Sequence, residues 1–155
     1  MEIHLVRATC GEAEFILNMQ KQSFKSLLDK YQDMATNPGN ETIEKVMGRL
    51  KQDFTYYYLI YLDNEIVGAI RVVDFKDKRQ KKRISPLFIL PQYWNRGFAQ
   101  KAIQLVEEIH GNENWELETS LQEARNCHLY EKMGYHKTGK TEVINERLTL
   151  ICYEK

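Results

Sequence analysis

Residues 87–109 read LFILPQYWNRGFAQKAIQLVEEI, and this stretch decides the fold. Its apolar start, which ends at Pro91, predicts a strand. The apolar residues that follow lie three or four positions apart, so they share one face of a helix. That face carries Phe98, Ala102, Leu105, Val106 and Ile109. The stretch therefore predicts a strand, a tight turn and a helix, with small residues where the helix opens.

The predicted turn is suited to bind phosphate. The first N–H groups of a helix have no internal partner, and together with the macrodipole they form an anion site. Gly97 lacks a Cβ and Ala99 has only a methyl group, so a phosphate could approach the backbone closely, and Arg96 adds a cation. Any strand–helix turn with a glycine shows similar spacing, so that alternative stays open. Neither a P-loop nor a dinucleotide-binding fingerprint is present.

Two blocks of the sequence resemble the GNAT superfamily of acetyl-CoA-dependent N-acetyltransferases. The family signature is Gln/Arg-x-x-Gly-x-Gly/Ala after a Val/Ile-x-Pro-like turn, and residues 89–91 (ILP) and 96–99 (RGFA) match it. Trp94 stands where Gln or Arg is usual. Residues 126–135 (NCHLYEKMGY) resemble the family's Asn-x-x-x-Tyr-x-x-x-Gly-Phe/Tyr segment. Two blocks in the right order are far more specific than either block alone.

The resemblance implies an α/β fold with a mixed, mostly antiparallel central sheet flanked by helices. It places a β-bulge on the strand before the motif, and Pro86 suits a bulge because proline cannot donate to a sheet ladder. At the bulge the strand parts from its neighbour and opens a V-shaped slot for the arm of acetyl-CoA. We expect residues 115–121 to form the other wall and residues 136–155 to form a closing hairpin.

The N-terminal half predicts two helices and a hairpin. Thr9 and Glu12 have the spacing of a capping box before a helix that runs to about residue 31. The apolar spacing predicts that its buried side carries Ile16, Met19, Phe24, Leu27, Leu28 and Tyr31. A second helix is expected over residues 43–54. Residues 56–62 and 65–74 predict two strands joined by a turn at Asp63.

The resemblance also implies which residues bind the cosubstrate. Backbone N–H groups of Leu87, Phe88 and Ile89 would pair with the pantetheine arm, and the Ile89 N–H would also polarise the thioester carbonyl. Trp94 in place of Gln or Arg weakens one phosphate contact but leaves the backbone cradle possible. That pyrophosphate cradle comprises Asn95, Arg96, Gly97, Phe98, Ala99 and Gln100. Asn126 would touch the arm of the cosubstrate.

Two residues are assigned catalytic roles. The resemblance implies that Tyr130 protonates the departing thiolate, with core packing as the alternative. The family often places a basic carboxylate on the strand before the motif, and residues 83–90 contain none. Glu118, on the facing strand, is the best substitute as general base, acting directly or through water. Glu116 lies on the same face of the strand as Glu118, so it is a second candidate. For either residue, the alternative to a general base is an ordinary solvent-exposed glutamate.

Composition limits the other classes of function. The chain has 155 residues and a formal net charge of zero, which favours one domain over residues 1–155 and argues against a nucleic-acid-binding protein. Its three cysteines and four histidines lack metal-ligand spacing, so no metal site is expected. Free thiols and the absence of a signal or membrane-spanning pattern predict a cytoplasmic protein. Cys127 could be a nucleophile, but a small core residue is the simpler interpretation.

Residues 76–83 (KDKRQKKR) form a basic run for which three interpretations stay open. It could be a solvated hairpin tip, an attractor of CoA phosphates or acidic partners, or a weak RNA-binding patch. For the whole chain, the sequence predicts transfer of an acetyl group from acetyl-CoA to a primary amine of a small molecule. A protein amine as acceptor and an acyl-CoA-binding regulatory module without activity are the alternatives. Family members often form homodimers through their C-terminal strands.

Overall fold

The computed structural model describes residues 2–155 and centres on a seven-stranded sheet. Its strands are β1 (Ile3–Arg7), β2 (Thr55–Leu62), β3 (Glu65–Val73), β4 (Lys82–Ile89), β5 (Trp115–Ser120), β6 (His136–Val143) and β7 (Thr149–Glu154). They lie in the order β1-β2-β3-β4-β5-β7-β6. Strands β4 and β5 run parallel, and the other neighbouring pairs of described strands are antiparallel. The mixed, mostly antiparallel sheet expected from the sequence is confirmed.

Helices flank this sheet and begin at recognisable capping residues. They are α1 (Ala13–Tyr31), α2 (Ile43–Leu50), α3 (Phe98–His110) and α4 (Ala124–Lys132). The Thr9 N–H donates to the Glu12 carboxylate at 3.2 Å, which forms the predicted capping box through a short 3₁₀ turn before α1. The Thr42 hydroxyl caps α2 by accepting the Lys45 N–H at 3.2 Å. Among the helices of residues 2–155, none is long and apolar enough to cross a bilayer.

The two faces of the sheet carry separate apolar cores. Helices α3 and α4 pack on one face, where Trp115 and Tyr153 are fully buried. Helices α1 and α2 pack on the other face, around Ile16, Val46 and Tyr57. Strand β3 is buried along nearly its whole length because both of its faces are covered.

The buried face of α1 differs from the prediction based on apolar spacing. The predicted residues that are buried are Ile16, Met19 and Tyr31. Those that are only half-buried are Phe24, Leu27 and Leu28. The polar residues Gln20 and Ser23 are buried instead. Burial of Gln20 is explained by its hydrogen bonds, because its amide accepts from the Tyr57 hydroxyl at 2.7 Å and donates to the Pro38 carbonyl at 2.9 Å.

Helix α2 is shorter than predicted. It ends at Leu50, and the following turn places Phe54 outside the helix, just before β2. There the Phe54 ring stacks on the Phe75 ring, with 4.7 Å between the ring centroids. Phe54 therefore helps close the sheet end near β3 rather than extending the apolar face of α2.

Strand β4 carries the bulge and opens the slot. Its residues Ile84 and Leu87, three positions apart, pair with β3 residues that are two apart. The extra residue falls at Ser85–Pro86, in agreement with the inability of proline to donate to the ladder. On its other side β4 pairs with β5 only through Lys82 and Arg83. Beyond this point the two strands part, so the described structure contains the V-shaped opening implied by the resemblance.

A buried histidine ties the opposite end of the sheet together. His110, at the end of α3, places Nδ1 at 2.9 Å from the Asp74 carboxylate and Nε2 at 2.8 Å from the Tyr58 hydroxyl. Its side chain is 1% exposed. Burial lowers the pKa of His110 below its ordinary value of 6.5, although Asp74 opposes this shift. The ring is therefore kept neutral, donating to Asp74 and accepting from Tyr58.

This arrangement predicts that the protein loses stability when the pH falls below about 6.5. The unfolded chain binds a proton on His110 more readily than the folded chain, so acid favours unfolding. We expect the free energy of unfolding, measured by urea titration, to be lower at pH 5.5 than at pH 7.5, by at most about 1.4 kcal/mol per pH unit. H110Q should flatten this dependence, whereas H128Q, which changes an exposed histidine of α4, should retain it. Equal slopes in both variants would show that His110 is not the group responsible.

Candidate active site

The edge of β4 that faces the slot offers backbone N–H groups. The Leu90 N–H donates to the Val67 carbonyl at 2.8 Å, so it points toward β3. Because N–H direction alternates along a strand, the N–H groups of Leu87 and Ile89 point the other way, into the slot. The Phe88 N–H was also expected to pair with the pantetheine arm, but it has the parity of Leu90 and points toward β3 instead. Gly68 of β3 allows this close pairing, since a Cβ there would lie 2.1 Å from a backbone oxygen of β4.

The turn after β4 presents the start of α3. Gly97 has a positive φ of 78° immediately before the helix, and the space where its Cβ would stand is open to 4 Å. No side chain of the described residues caps α3. The first N–H groups of the helix, on Phe98, Ala99 and Gln100, are therefore available to an anion. The positive φ of Gly97 and the open space beside it would let a pyrophosphate approach these N–H groups.

Trp94 takes a different position from the Gln or Arg of the family signature. Its indole N–H donates to the Ile89 carbonyl at 2.6 Å, so its one polar atom is already engaged. The ring lies at the cavity wall and is 42% exposed. Trp94 thus braces the turn against the end of β4, and any contact it makes with a ligand would come from the face of its ring.

Two cavities meet at the slot. The first has a volume of about 390 Å³ and is lined by α1, the end of β4, the turn before α3, and α4. The second has a volume of about 320 Å³ and lies between α1, β4, β5 and the β6–β7 hairpin. The residues that line both are Phe24, Leu27, Leu87, Asn126 and Tyr130. A molecule in one cavity would therefore adjoin a molecule in the other beside Tyr130.

Tyr130 packs its ring against the core and lines both cavities. Its ring packs against Tyr135 and Tyr153, with centroids 6.0 and 6.2 Å away. No described residue forms a hydrogen bond with the Tyr130 hydroxyl. Burial raises the pKa of Tyr130 to about 12, so the phenol carries its proton at neutral pH. A protonated hydroxyl that is free to donate is what a general acid needs.

The structure separates the two candidate general bases. One guanidinium holds both carboxylates, because Arg83 donates to Glu116 at 3.1 Å and to Glu118 at 3.0 Å. Burial alone would lower the pKa of Arg83, but these hydrogen bonds raise it above its ordinary value. Glu118 lines the second cavity, whereas Glu116 is absent from the lining of both among residues 2–155. Position therefore favours Glu118, although their strand parity is the same.

Several residues of the cavity walls were not assigned to the site from the sequence. They include Ser23 on α1, Glu123 before α4 and Glu142 on β6. Glu123 accepts hydrogen bonds from Lys30, at 2.7 Å, and from the Tyr31 hydroxyl, which ties the end of α1 to the start of α4. Ser23 lies four positions after Met19, so helical spacing already indicated that Ser23 shares the buried face of α1. Nothing local marks Glu123 or Glu142, because their placement depends on tertiary packing.

The basic run at residues 76–83 does not line either cavity, although Arg83 at its end binds Glu118 of the second cavity wall. None of its residues belongs to either lining among the described residues. Its ion pairs are Lys76 with Asp74, Arg79 with Asp77, Lys81 with Glu154, and Arg83 with Glu116 and Glu118. The positive charges are therefore largely offset within the fold, which favours the interpretation as a hairpin tip. Cys127 likewise lies outside both linings, and its thiol contacts the Ser120 carbonyl at 3.6 Å.

Sequence comparison identifies one family over most of the chain. The model of the acetyltransferase (GNAT) family matches residues 21–135. No curated protein matches the sequence.

Solved structures share the fold over nearly the whole chain. PaiA N-acetyltransferase of Thermoplasma acidophilum, in complex with coenzyme A, superposes with a TM-score of 0.74 at 14% identity, with 100% of each chain covered. Spermidine N-acetyltransferase of Vibrio cholerae, with CoA and spermine, gives a TM-score of 0.76 at 14% identity, covering 97% of this chain and 93% of that one. The ribosomal-protein-S18-alanine N-acetyltransferase of Escherichia coli gives 0.72 at 10% identity, covering 98% and 92%.

Proposed function

The chain belongs to the acetyltransferase (GNAT) family, and on that premise we propose that it transfers the acetyl group of acetyl-CoA to a primary amine of a small molecule. The observation that carries this proposal is the position of Tyr130. Tyr130, whose phenol is protonated at neutral pH, lines both cavities near the opening between β4 and β5. One cavity would hold the donor and the other the acceptor.

The walls of the first cavity are suited to acetyl-CoA. The uncapped N–H groups at the start of α3 would bind the pyrophosphate, and Gly97 would let it approach the backbone. The slot-facing N–H groups of Leu87 and Ile89 would pair with the pantetheine amides. Asn126, on the facing helix, would touch the same arm. Bound in this way, acetyl-CoA supplies an activated thioester carbonyl close to Tyr130.

Residues of the chain would then stabilise the developing negative charge and transfer the protons as the acetyl group passes directly to the amine. The Ile89 N–H would hold the negative charge that develops on the carbonyl oxygen. A free amine would form the new C–N bond, and the C–S bond would break without a covalent enzyme intermediate. Glu118 would accept the proton of the amine, directly or through water, and Tyr130 would give its proton to the departing thiolate. Exchange with solvent would restore both groups.

The second cavity supports a small, cationic acceptor. Three carboxylates reach its wall from different elements, namely Asp33, Glu118 and Glu142. Asp33 is buried and accepts the Thr36 N–H at 2.9 Å, whereas Glu142 lies on the exposed strand β6. Such walls would attract an amine in its charged form before Glu118 deprotonates it. A volume of about 320 Å³ suits a small molecule or the terminal residues of a peptide.

A screen of amines with acetyl-CoA tests the proposal. Thiol release would be followed with polyamines, amino acids, aminoglycosides and peptides that carry free amines. We expect turnover with at least one class of small amine. Turnover with peptides alone would assign a protein acceptor, and binding of acetyl-CoA without turnover on any amine would assign an acyl-CoA-binding regulatory module.

A pair of variants tests the role of Glu118 in the same assay. E118Q should lower the turnover number by about a hundredfold or more if Glu118 is the general base. E116Q is the matched control, because it removes the charge from an equivalent ion pair with Arg83 outside the cavities, and it should leave turnover close to the native value. Equal losses in the two variants would mean that Glu118 acts only through its ion pair.

A further inference from the structure

Ser23 has an unusual position on α1. It is 6% exposed, and its hydroxyl oxygen is fully buried without a hydrogen-bond partner among residues 2–155. It is the sole buried side-chain polar atom of the described residues in this condition. A buried hydroxyl that lacks a partner costs free energy, so such a group calls for a physical explanation.

The surroundings of Ser23 indicate where a partner could come from. Ser23 lines the first cavity, next to the half-buried Phe24 and Leu27. The Phe24 ring meets the Phe88 ring edge to face, with 5.8 Å between the centroids. This contact places the Ser23 segment of α1 alongside β4, whose residues Leu87 and Ile89 line the same cavity.

The chemistry of this wall favours an uncharged ligand group. The α1 and β4 residues that line the cavity beside Ser23 carry no charge; they are Phe24, Ser26, Leu27, Leu87, Phe88 and Ile89. A neutral hydroxyl among uncharged side chains can satisfy an amide or a thioester carbonyl, but it cannot neutralise a phosphate. The proposed anion site is formed by a different element of the same lining, the start of α3.

We propose that Ser23 binds the cosubstrate, its hydroxyl forming a hydrogen bond with the uncharged amide and thioester arm of acetyl-CoA from the α1 side. This inference rests on the proposed function, because it takes the first cavity as the acetyl-CoA site. Ser23 and the edge of β4 then hold the arm from two sides. The hydroxyl gains a hydrogen-bond partner only when acetyl-CoA is bound. It therefore increases the affinity for acetyl-CoA and lowers the stability of the free protein.

The test compares stability and affinity in S23A. Removing an unpartnered hydroxyl should leave the melting temperature of the free protein unchanged or higher. The same change should weaken acetyl-CoA binding about threefold to tenfold in calorimetric titration. T55V is the matched control, since Thr55 is also buried but donates to Gln52 at 2.7 Å and lies outside both linings. T55V should lower the melting temperature and leave the affinity unchanged.

Adenosine 3′,5′-bisphosphate lacks the amide and thioester arm, so it tests whether Ser23 contacts that arm. It should bind native protein and S23A equally, whereas an equal loss for both ligands would overturn the assignment to the arm. Unchanged acetyl-CoA affinity in S23A would show that the hydroxyl serves no ligand. If S23A does not fold, S23C takes its place, because a thiol keeps the volume with a weaker donor and should show the same direction of change. Failure of the native protein to bind acetyl-CoA would instead refute the proposed function.

Discussion

Replacing Tyr130 with phenylalanine should lower the turnover number for acetyl transfer by roughly tenfold to a thousandfold. The change removes one hydroxyl and keeps the ring that packs against Tyr135 and Tyr153. CoA thiolate is a tolerable leaving group, so the lower part of that range is expected. Acetyl-CoA affinity should change little, because the proton is needed in the transition state and not in the ground state.

The pH dependence adds a second criterion for Tyr130. Burial raises its pKa to about 12, so the phenol stays protonated throughout the range in which the protein would be assayed. The ratio of native to Y130F turnover should therefore stay constant between neutral and mildly alkaline pH. Y153F is the control, because the neighbouring Tyr153 hydroxyl donates to Glu131 at 2.6 Å and lies outside both cavity linings. Y153F should lower the free energy of unfolding but leave the turnover number close to the native value.

One outcome would remove Tyr130 from the mechanism. If Y130F turns over at the native rate and unfolds more readily, Tyr130 is a packing residue and the thiolate takes its proton from another source. Steady-state kinetics and urea unfolding on the same preparation distinguish the two cases.

Replacing Gly97 with valine should weaken acetyl-CoA binding at least tenfold. The Gly97 Cβ would project into open space at the start of α3, where the pyrophosphate is proposed to approach. A branched side chain there would prevent two or three charge-assisted hydrogen bonds, each worth about 1.5 kcal/mol or more. Calorimetric titration with acetyl-CoA measures the loss.

Valine at Gly97 also strains the backbone, so a control for strain is needed. Gly139 on β6 has a positive φ of 91°, against 78° at Gly97, and its Cβ would likewise meet nothing within 4 Å. G139V should therefore destabilise the fold to a similar extent, by about 1–2 kcal/mol, without weakening acetyl-CoA binding. Native affinity in a folded G97V would place the phosphates elsewhere, and equal loss of affinity in both variants would indicate a general effect of strain.

Local sequence was sufficient to predict the strand, turn and helix that carry the proposed site. The apolar run, Pro91, Gly97 and the helical spacing after it are neighbours in the chain, so their structure depends on short-range rules. Pro86 could be assigned to a bulge because proline lacks a backbone N–H and therefore interrupts the hydrogen-bond ladder of any sheet. The mixed, mostly antiparallel sheet and the opening beside β4 came from the resemblance rather than from any residue pattern.

Other features could not be predicted, because they depend on contacts between distant elements. Phe24 and Leu27 are only half-buried since they line a cavity instead of the core, and apolar spacing does not distinguish these environments. Glu116 and Glu118 have the same strand parity, and only the position of the second cavity separates them. The bond from the Trp94 indole to the Ile89 carbonyl likewise depends on the path of the turn.

A crystal structure of the protein with CoA would locate the site. The pyrophosphate should accept hydrogen bonds from the backbone between Gly97 and Gln100, and the arm should pair with the slot-facing N–H groups of Leu87 and Ile89. The sulfur should then lie within hydrogen-bonding reach of the Tyr130 hydroxyl. Phosphates bound at the basic run of residues 76–83, or a sulfur atom remote from Tyr130, would contradict the proposed site and mechanism.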